Sequence, residues 1–176
     1  MFIETLVLSI VIGFLRKGKL KNFGLIQFRW ISLLFLSFAL QFMVNYIGSA
    51  VLSYWGNIFH IGSYLLIFYF FWTNKKQLNL LLSIGVILNF LVIILNGGSM
   101  PVDTRHMSFS IIEKIQQSVT HTVLTSGTKL PWLADIIYIP WPTRQMLSLG
   151  DIFLSIGVFI LVQKVMVQRI IEVDKP

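Results

Sequence analysis

The chain has 176 residues, of which 56% are hydrophobic and 12% charged, and its formal net charge is +7. Soluble domains carry about 25% charged residues, so this composition excludes an ordinary soluble domain and indicates a membrane protein with short connections. The sequence has no cysteine, which excludes disulfides and thiol chemistry. It has no nucleic-acid-binding, nucleotide-binding or zinc-protease motif, so we assign the basic excess to membrane topology and expect no nucleic-acid partner and no cofactor.

Apolar runs predict five transmembrane helices, because a crossing takes about 20 predominantly apolar residues. The predicted spans are residues 2–15, 30–47, 58–72, 78–95 and 152–167. The first and third are short, so we expect helix tilt or local thinning of the bilayer there. The predicted fold is all-α, a single membrane domain of residues 1–176 with an extracytoplasmic cap at residues 96–150.

Basic residues in the short loops predict the orientation of these spans. Ten of the fourteen fall on one side: Arg16, Lys17, Lys19, Lys21, Arg29, Lys75, Lys76, Lys164, Arg169 and Lys175. We assign that side to the cytoplasm, which places the N-terminus outside and the C-terminus inside. Since the first basic cluster follows the first apolar run, we expect a retained helix and no cleavable signal peptide.

Polar residues recur at helical spacing within the spans. The stripes are Thr5, Ser9 and Gly13; Ser37, Gln41 and Asn45; His60, Ser63 and Tyr64; Gly85, Asn89 and Asn96; and Asp151 and Ser155. Such residues commonly bond helices together, at about 0.6 kcal/mol per hydrogen bond, without any further function. Six of them, however, fall in the predicted outer half of the membrane, which favours a polar pocket that opens to the outside: Gln41, Asn45, His60, Asn96, Asp151 and Ser155.

The sequence Asn96-Gly97-Gly98-Ser99-Met100-Pro101 predicts the end of the fourth helix. Glycine adopts the left-handed conformation at helix ends, and proline commonly follows. The same glycines allow close approach of a ligand or another helix.

Residues 108–126 predict an amphipathic helix that lies on the outer membrane surface or over the mouth of the helix bundle. Ser110 and Glu113 fit a capping box at its start, and Gly127 fits a C-cap at its end.

The apolar segment 130–142 is too short to span and is rich in Pro and Trp, so we expect it to be interfacial or re-entrant. Asp135 lies within it between apolar neighbours. Three interpretations stay open: this carboxylate caps a short helix, contacts a partner's cation, or faces the pocket.

Ser148-Leu149-Gly150-Asp151 predicts a second capping box, at the start of the last span. The free amides of that helix end also suit an anion.

Together, Asn96-Gly97-Gly98-x-Met100-Pro101-Val102, His121, Leu133-x-Asp135 and Ser148-Leu149-Gly150-Asp151 resemble a family of small bacterial membrane proteins, domain of unknown function 5317. The resemblance covers nearly the whole chain. It implies an integral membrane protein of Gram-positive-type bacteria, and it implies no activity.

Two catalytic or metal-binding arrangements are disfavoured. Asp103, His106, His121 and Asp135 have no known metal-site spacing. A serine triad of Ser148 or Ser99 with His121 and Asp135 has no supporting motif.

Three functions remain as hypotheses. The first is binding or translocation of an amphipathic or anionic ligand, such as a lipid-linked precursor, at the outer leaflet. The second is an accessory protein whose outer segment docks a membrane-protein partner or a second copy. The third, which we favour least, is an intramembrane enzyme that uses His121 with a carboxylate. The candidate ligand-binding residues are Gln41, Asn45, Asn89, Asn96, Gly97, Gly98, Met100, Pro101, His121, Asp135, Ser148 and Asp151.

Overall fold

The computed structural model describes residues 2–47 and 49–167, and these are mostly helical. The helices are α1 (Phe2–Leu15), α2 (Ile31–Ile47), α3 (Ser49–Thr73), α4 (Leu80–Leu95), α5 (Phe109–Gln116) and α6 (Leu149–Val167). The strands are β1 (Met100–Val102), β2 (His121–Val123), β3 (Ile137–Ile139) and β4 (Gln145–Leu147). Short 3-10 turns lie at Leu20–Leu25 and Pro131–Leu133. The basic residues Arg169 and Lys175 lie outside the described residues.

The long helices form two packing groups. Helix α6 packs extensively against α1 and α4, and α2 packs extensively against α3, whereas α3 and α4 share few contacts. Glycines explain the close approach of α4 and α6, because a Cβ at Gly85 would lie 2.6 Å from Leu154 Cγ and one at Gly157 would lie 2.7 Å from Leu82 Cγ. The α2–α3 pair is therefore a separate unit beside the α1–α4–α6 group.

The predicted end of α4 is confirmed. Asn96 is the C-cap residue, and Gly97 and Gly98 follow with φ of +72° and +94°. The Gly98 amide donates to the carbonyl oxygen of Ile93 at 2.9 Å, a pairing typical of a helix that ends in a left-handed glycine.

The capping box of α6 is also confirmed. The Asp151 amide donates to Ser148 Oγ at 3.0 Å, and the Ser148 amide donates to Asp151 Oδ2 at 3.1 Å. Two amides at the start of α6 are thereby satisfied.

The α4–α6 segment (residues 96–148) contains β structure, which corrects the all-α prediction. Strands β1 and β2 pair in parallel, and β3 and β4 pair antiparallel. Its apolar core packs onto the end of α4 through Val92, Ile93, Met100, Leu133 and Ala134. The α4–α6 segment is therefore a folded layer that covers one end of the bundle.

The predicted amphipathic helix at 108–126 is too long. Helix α5 ends at Gln116, with Ser108 rather than Ser110 at its N-cap position and Gln117 rather than Gly127 at its C-cap. Residues 119–123 are rich in β-branched side chains, which favour the extended backbone of β2 over a helix.

The prediction for the third span is too short. Helices lie within three residues of the other four predicted spans, but α3 starts at Ser49 rather than at residue 58. Polar residues and Gly56 lower the apolar content of this first part. Asn57 lies close to Gly98 of the α4–α6 segment, where an added Cβ would be 2.8 Å from Asn57 Cβ.

Among the described residues, one helix, Leu149–Val167, is long and apolar enough to cross a membrane by itself. Shorter apolar helices lie at Ile3–Leu15, Ile31–Ile47 and Leu80–Leu95.

Candidate functional site

A polar cavity of about 380 Å³ lies between the α4–α6 segment and the adjoining parts of α2, α3, α4 and α6. It is lined by Phe38, Gln41, Phe42, Asn45, His60, Tyr64, Asn89, Ile93, Met100, Thr120, His121, Asp135 and Asp151. Five elements that are far apart in sequence therefore contribute to one site.

Where helices α4 and α6 line the cavity, a group of hydrogen-bonded side chains fixes Asp151. Asn89 Nδ2 donates to Asp151 Oδ1 at 2.9 Å, and Ser148 Oγ donates to Asn89 Oδ1 at 2.8 Å. Because the Ser148 amide also holds Asp151 Oδ2, both carboxylate oxygens have donors. The N-terminus of α6 further stabilises the negative charge of Asp151.

On the α3 side, the partner of His60 fixes its tautomer. His60 Nδ1 lies 2.6 Å from the carbonyl oxygen of Gly98. A carbonyl only accepts hydrogen bonds, so Nδ1 carries the proton, and in the neutral ring Nε2 is left as an acceptor. Gln41 on α2 is also bonded to α3, since its Nε2 donates to Ser63 Oγ at 2.9 Å.

His121 can take the same tautomer. Thr120 Oγ1 lies 3.2 Å from Asn45 Oδ1, to which it can donate, and 2.8 Å from His121 Nδ1. In the tautomer in which Nδ1 donates to Thr120, Nε2 has no proton. The ring is accessible from the cavity, yet many protein atoms surround it. This burial, and then the neighbouring His60, lower the pKa of His121, while Asp151 acts in the opposite direction.

The backbone of Asp135 is fixed, while its side chain has an unused acceptor. Its amide donates to Pro101 O at 3.0 Å, and its carbonyl accepts from the Asp103 amide at 2.9 Å. The residue is 8% exposed, and no described group donates to Oδ1. Burial, and then the charge of Asp151, raise the pKa of Asp135 to about 8.

Of the three interpretations of Asp135, its position on the cavity wall favours the one in which it faces the pocket. Six other candidates share that wall: Gln41, Asn45, Asn89, Met100, His121 and Asp151.

The other five candidates lie outside the lining. Asn96 caps α4 and exchanges two hydrogen bonds of 2.9 Å with the backbone of Lys129. Gly97 and Gly98 reverse the chain, Pro101 is buried in β1, and Ser148 stands behind Asn89 and Asp151. Their sequence signals came from turns and caps that support the site.

The candidate list omitted six lining residues: Phe38, Phe42, His60, Tyr64, Ile93 and Thr120. His60 and Tyr64 did carry a signal, the polar stripe at the start of the predicted third span. Phe38, Phe42 and Ile93 have none, since apolar side chains in an apolar helix look alike whether they face a cavity or the outside of the bundle.

The residues considered for a metal site have separate partners. Asp103 pairs with the Arg105 guanidinium, which lowers the pKa of that carboxyl, and the His106 ring stacks on Tyr138 at 4.7 Å. No group of three or more His, Cys, Asp or Glu that could hold a metal occurs in the described ranges. The hydroxyl groups considered for a triad are also bonded elsewhere, Ser99 Oγ to Val119 O and Ser148 Oγ to Asn89.

An apolar cleft of about 390 Å³ adjoins the polar cavity. It runs between the α2–α3 pair and helices α4 and α6, and it is lined mainly by Phe, Ile, Leu and Val side chains. Four residues, Phe38, Gln41, Tyr64 and Asn89, line both spaces. The two spaces are therefore adjacent, with polar walls on one side of these four residues and apolar walls on the other.

The fold and the site define a helical protein with one helix fit to cross a membrane and a polar cavity at one end of its bundle. Residues 25–163 match the family of unknown function DUF5317, and the chain belongs to that family. It is similar to a protein of Thermotoga maritima described as uncharacterized, with 29% identity over 163 residues that cover 91% of this chain and 89% of the relative. No solved structure matches.

Proposed function

We propose that the protein binds an amphipathic molecule from the outer leaflet of the bacterial cytoplasmic membrane. The polar head would lie in the polar cavity and the chain in the apolar cleft. The observation that carries this proposal is the junction of the two spaces at Phe38, Gln41, Tyr64 and Asn89. A soluble polar ligand would need only the first space, and a plain hydrocarbon only the second.

The proposal includes a five-helix arrangement in the membrane, made of α1, α2, α3, α4 and α6. Large apolar side chains point away from the bundle on several helices, for example Phe35, Leu65 and Trp72, which are 66%, 61% and 73% exposed. Exposed apolar surface on this scale suits contact with lipid. In this arrangement the α4–α6 segment is an outer cap over the bundle.

The distribution of charge supports an outward N-terminus and a cytoplasmic C-terminus. Glu4, at the start of α1, accepts hydrogen bonds from Thr143 and Gln145 of the α4–α6 segment. At the far end of the bundle, Arg16 donates to Gln163 at 3.0 Å, and further basic residues follow in the turn after α1. The basic end therefore lies opposite the polar cavity, as the positive-inside rule requires of a cavity that opens outward.

The test is binding of a single-chain amphiphile to the purified protein in a nonionic detergent. Leu34→Trp places a large side chain in the apolar cleft, so we expect dodecylamine to bind about tenfold more weakly by calorimetry. Leu36→Trp is the matched control, since it adds the same ring to an exposed position of the same helix. Equal affinities for the two variants would count against the proposal.

A partner-docking role is the second candidate. Phe109 and Trp141 of the α4–α6 segment are 82% and 81% exposed. Crosslinking in membranes followed by affinity purification would detect a stable partner. Loss of one specific crosslinked species in Trp141→Ala would support docking, whereas an unchanged pattern would favour contact of these rings with lipid headgroups.

A further inference from the structure

We propose that the headgroup bound in the polar cavity is a primary ammonium group, and that Asp135 releases its proton when that cation binds. This rests on the proposed function, and it narrows the amphipathic or anionic class expected from the sequence to cationic amphiphiles.

Several donors on the cavity wall are already engaged within the protein. One amide hydrogen of Asn89 goes to Asp151, and one of Gln41 goes to Ser63. The Thr120 hydroxyl hydrogen goes to Asn45. The acceptors that have no donor on this wall are therefore matched by a ligand that brings donors of its own.

Three acceptor sites remain for such a ligand. His60 holds a proton on Nδ1, so its Nε2 has a lone pair to which no described group donates. His121 offers a second such lone pair in the tautomer in which its Nδ1 donates to Thr120. Asp135 supplies Oδ1, a buried carboxyl oxygen to which no described group donates. An ammonium group has three N–H donors and no acceptor, so it matches these acceptors in kind.

The charges on the cavity wall also favour an ammonium headgroup. Asp135 and Asp151 both line the cavity, and none of its described lining residues is Lys or Arg. A phosphate or carboxylate headgroup would face two carboxyl groups without a compensating cation. An ammonium group would be attracted by both.

The proton balance follows from the position of Asp135. In the empty cavity its carboxyl group keeps a proton near neutral pH, because burial and Asp151 raise its pKa to about 8. A bound cation stabilises the carboxylate, so the proton leaves to solvent while the ligand keeps its own charge.

The groups that face Asp135 from the other elements are Asp151 on α6, His121 on β2, and His60 and Tyr64 on α3. At lower pH, protonation of either histidine would repel the ligand. It would therefore weaken binding in the same direction as protonation of Asp135.

Calorimetry of the full chain in a nonionic detergent tests this inference with four probes: dodecylamine, dodecanol, dodecyl phosphate and ethanolamine. We expect dodecylamine to bind about tenfold more tightly than dodecanol, and dodecyl phosphate to bind more weakly than both. The affinity for dodecylamine should rise with pH up to about 8. Titrations in buffers of different ionisation enthalpy should show close to one proton released per ligand below that pH.

The decisive variant is Asp135→Asn, which keeps the size of the side chain and removes its charge. It should abolish the proton release and lower the affinity for dodecylamine to about that for dodecanol. Asp103→Asn is the matched control, because that carboxylate pairs with Arg105 and does not line the cavity. Proton release that persists in Asp135→Asn would overturn the inference.

The outcomes separate this inference from the proposed function. Equal binding of dodecylamine, dodecanol and dodecyl phosphate, all weakened by Leu34→Trp, would keep the amphiphile site and reject the ammonium headgroup. Ethanolamine that binds as tightly as dodecylamine would keep the ammonium site and reject the role of the chain. Binding of none of the probes would reject both.

Discussion

At the residue scale, Asp135 has a consequence for stability in the absence of ligand. Its pKa in the folded protein is about 8, above the ordinary value of 3.8, so the folded state holds the proton more tightly than the unfolded state. This contribution to stability is complete below about pH 3.8 and is lost as the pH rises to about 8. We therefore expect the thermal unfolding midpoint of the unmodified chain to fall as the pH rises from about 3.8 to about 8. In Asp135→Asn this fall should be smaller.

Asp103 should contribute to stability with the opposite pH dependence in the same thermal unfolding experiment. Arg105 lowers the pKa of Asp103, so its contribution is present above the ordinary carboxyl pKa and disappears as the pH falls through the lowered value. Asp103→Asn should leave the fall between about pH 4 and about pH 8 in place. The same slope in Asp135→Asn and the unmodified chain would contradict the role given to Asp135.

The hydroxyl group of Ser148 caps helix α6 and also positions the side chain of Asn89. It accepts from the Asp151 amide and donates to Asn89 Oδ1, and it is fully buried. Ser148→Ala removes a helix cap and leaves Asn89 short of one donor, so we expect a loss of about 1–3 kcal/mol in unfolding free energy. Ser110→Ala, at an exposed hydroxyl that contacts only Ser108 among the described residues, should change it by less than about 0.5 kcal/mol in the same denaturation experiment.

At the element scale, the α4–α6 contact depends on the absence of side chains. A Cβ at Gly150 would lie 2.8 Å from the carbonyl oxygen of Gly85, and it would also collide with the Asn89 side chain. Gly150→Ala should therefore push the helices apart and cost about 1–3 kcal/mol by chemical denaturation.

Gly62 on α3 is the matched control for that substitution, since a Cβ there meets no atom within 4 Å. Gly62→Ala should be neutral or stabilising by up to about 1 kcal/mol, because alanine favours a helix. If both alanine variants were equally stable, the close packing of α4 on α6 would not be a source of stability.

The helices were more predictable from sequence than the elements of the α4–α6 segment. Long apolar runs between turn residues predict α1, α2, α4 and α6, because local composition decides where such helices start and end. Strands of three residues, such as β1 and β2, have no periodicity to detect. Their pairing of Met100 with His121 joins distant parts of the chain, which no local pattern contains.

The lining of the polar cavity was likewise predictable only in part. Polar residues inside apolar helices are conspicuous, so Gln41, Asn45, Asn89 and Asp151 were identified from sequence. The supporting role of Ser148, behind the wall rather than on it, depends on which way one helix end faces. That orientation is fixed by tertiary packing and has no signature in the sequence.

At the scale of the whole molecule, the orientation in the membrane can be measured directly. The native chain has no cysteine, so single cysteines can be introduced without background. In intact cells, a membrane-impermeant maleimide should label Ser126→Cys in the α4–α6 segment. It should label Gly24→Cys, in the basic turn after α1, only after lysis. Both positions are exposed, and a Cβ at Gly24 meets no atom within 4 Å, so accessibility alone cannot explain a difference.

The reverse labelling pattern would invert the topology and place the polar cavity on the cytoplasmic side. Labelling of both cysteines in intact cells would contradict a membrane between them. Either result would remove the outer leaflet as the source of the ligand.

The sparse contact between the α2–α3 pair and the α1–α4–α6 group has a further consequence. The apolar cleft follows this weak boundary, where Tyr64 and Phe68 of α3 touch Phe90 of α4. In the proposed membrane arrangement, an amphiphile that enters sideways through this cleft would not cross water. Its occupancy is then governed by its mole fraction in the leaflet rather than by its aqueous concentration. A modest intrinsic affinity would fill the site with an abundant membrane component, and the protein would report on the composition of the bilayer around it.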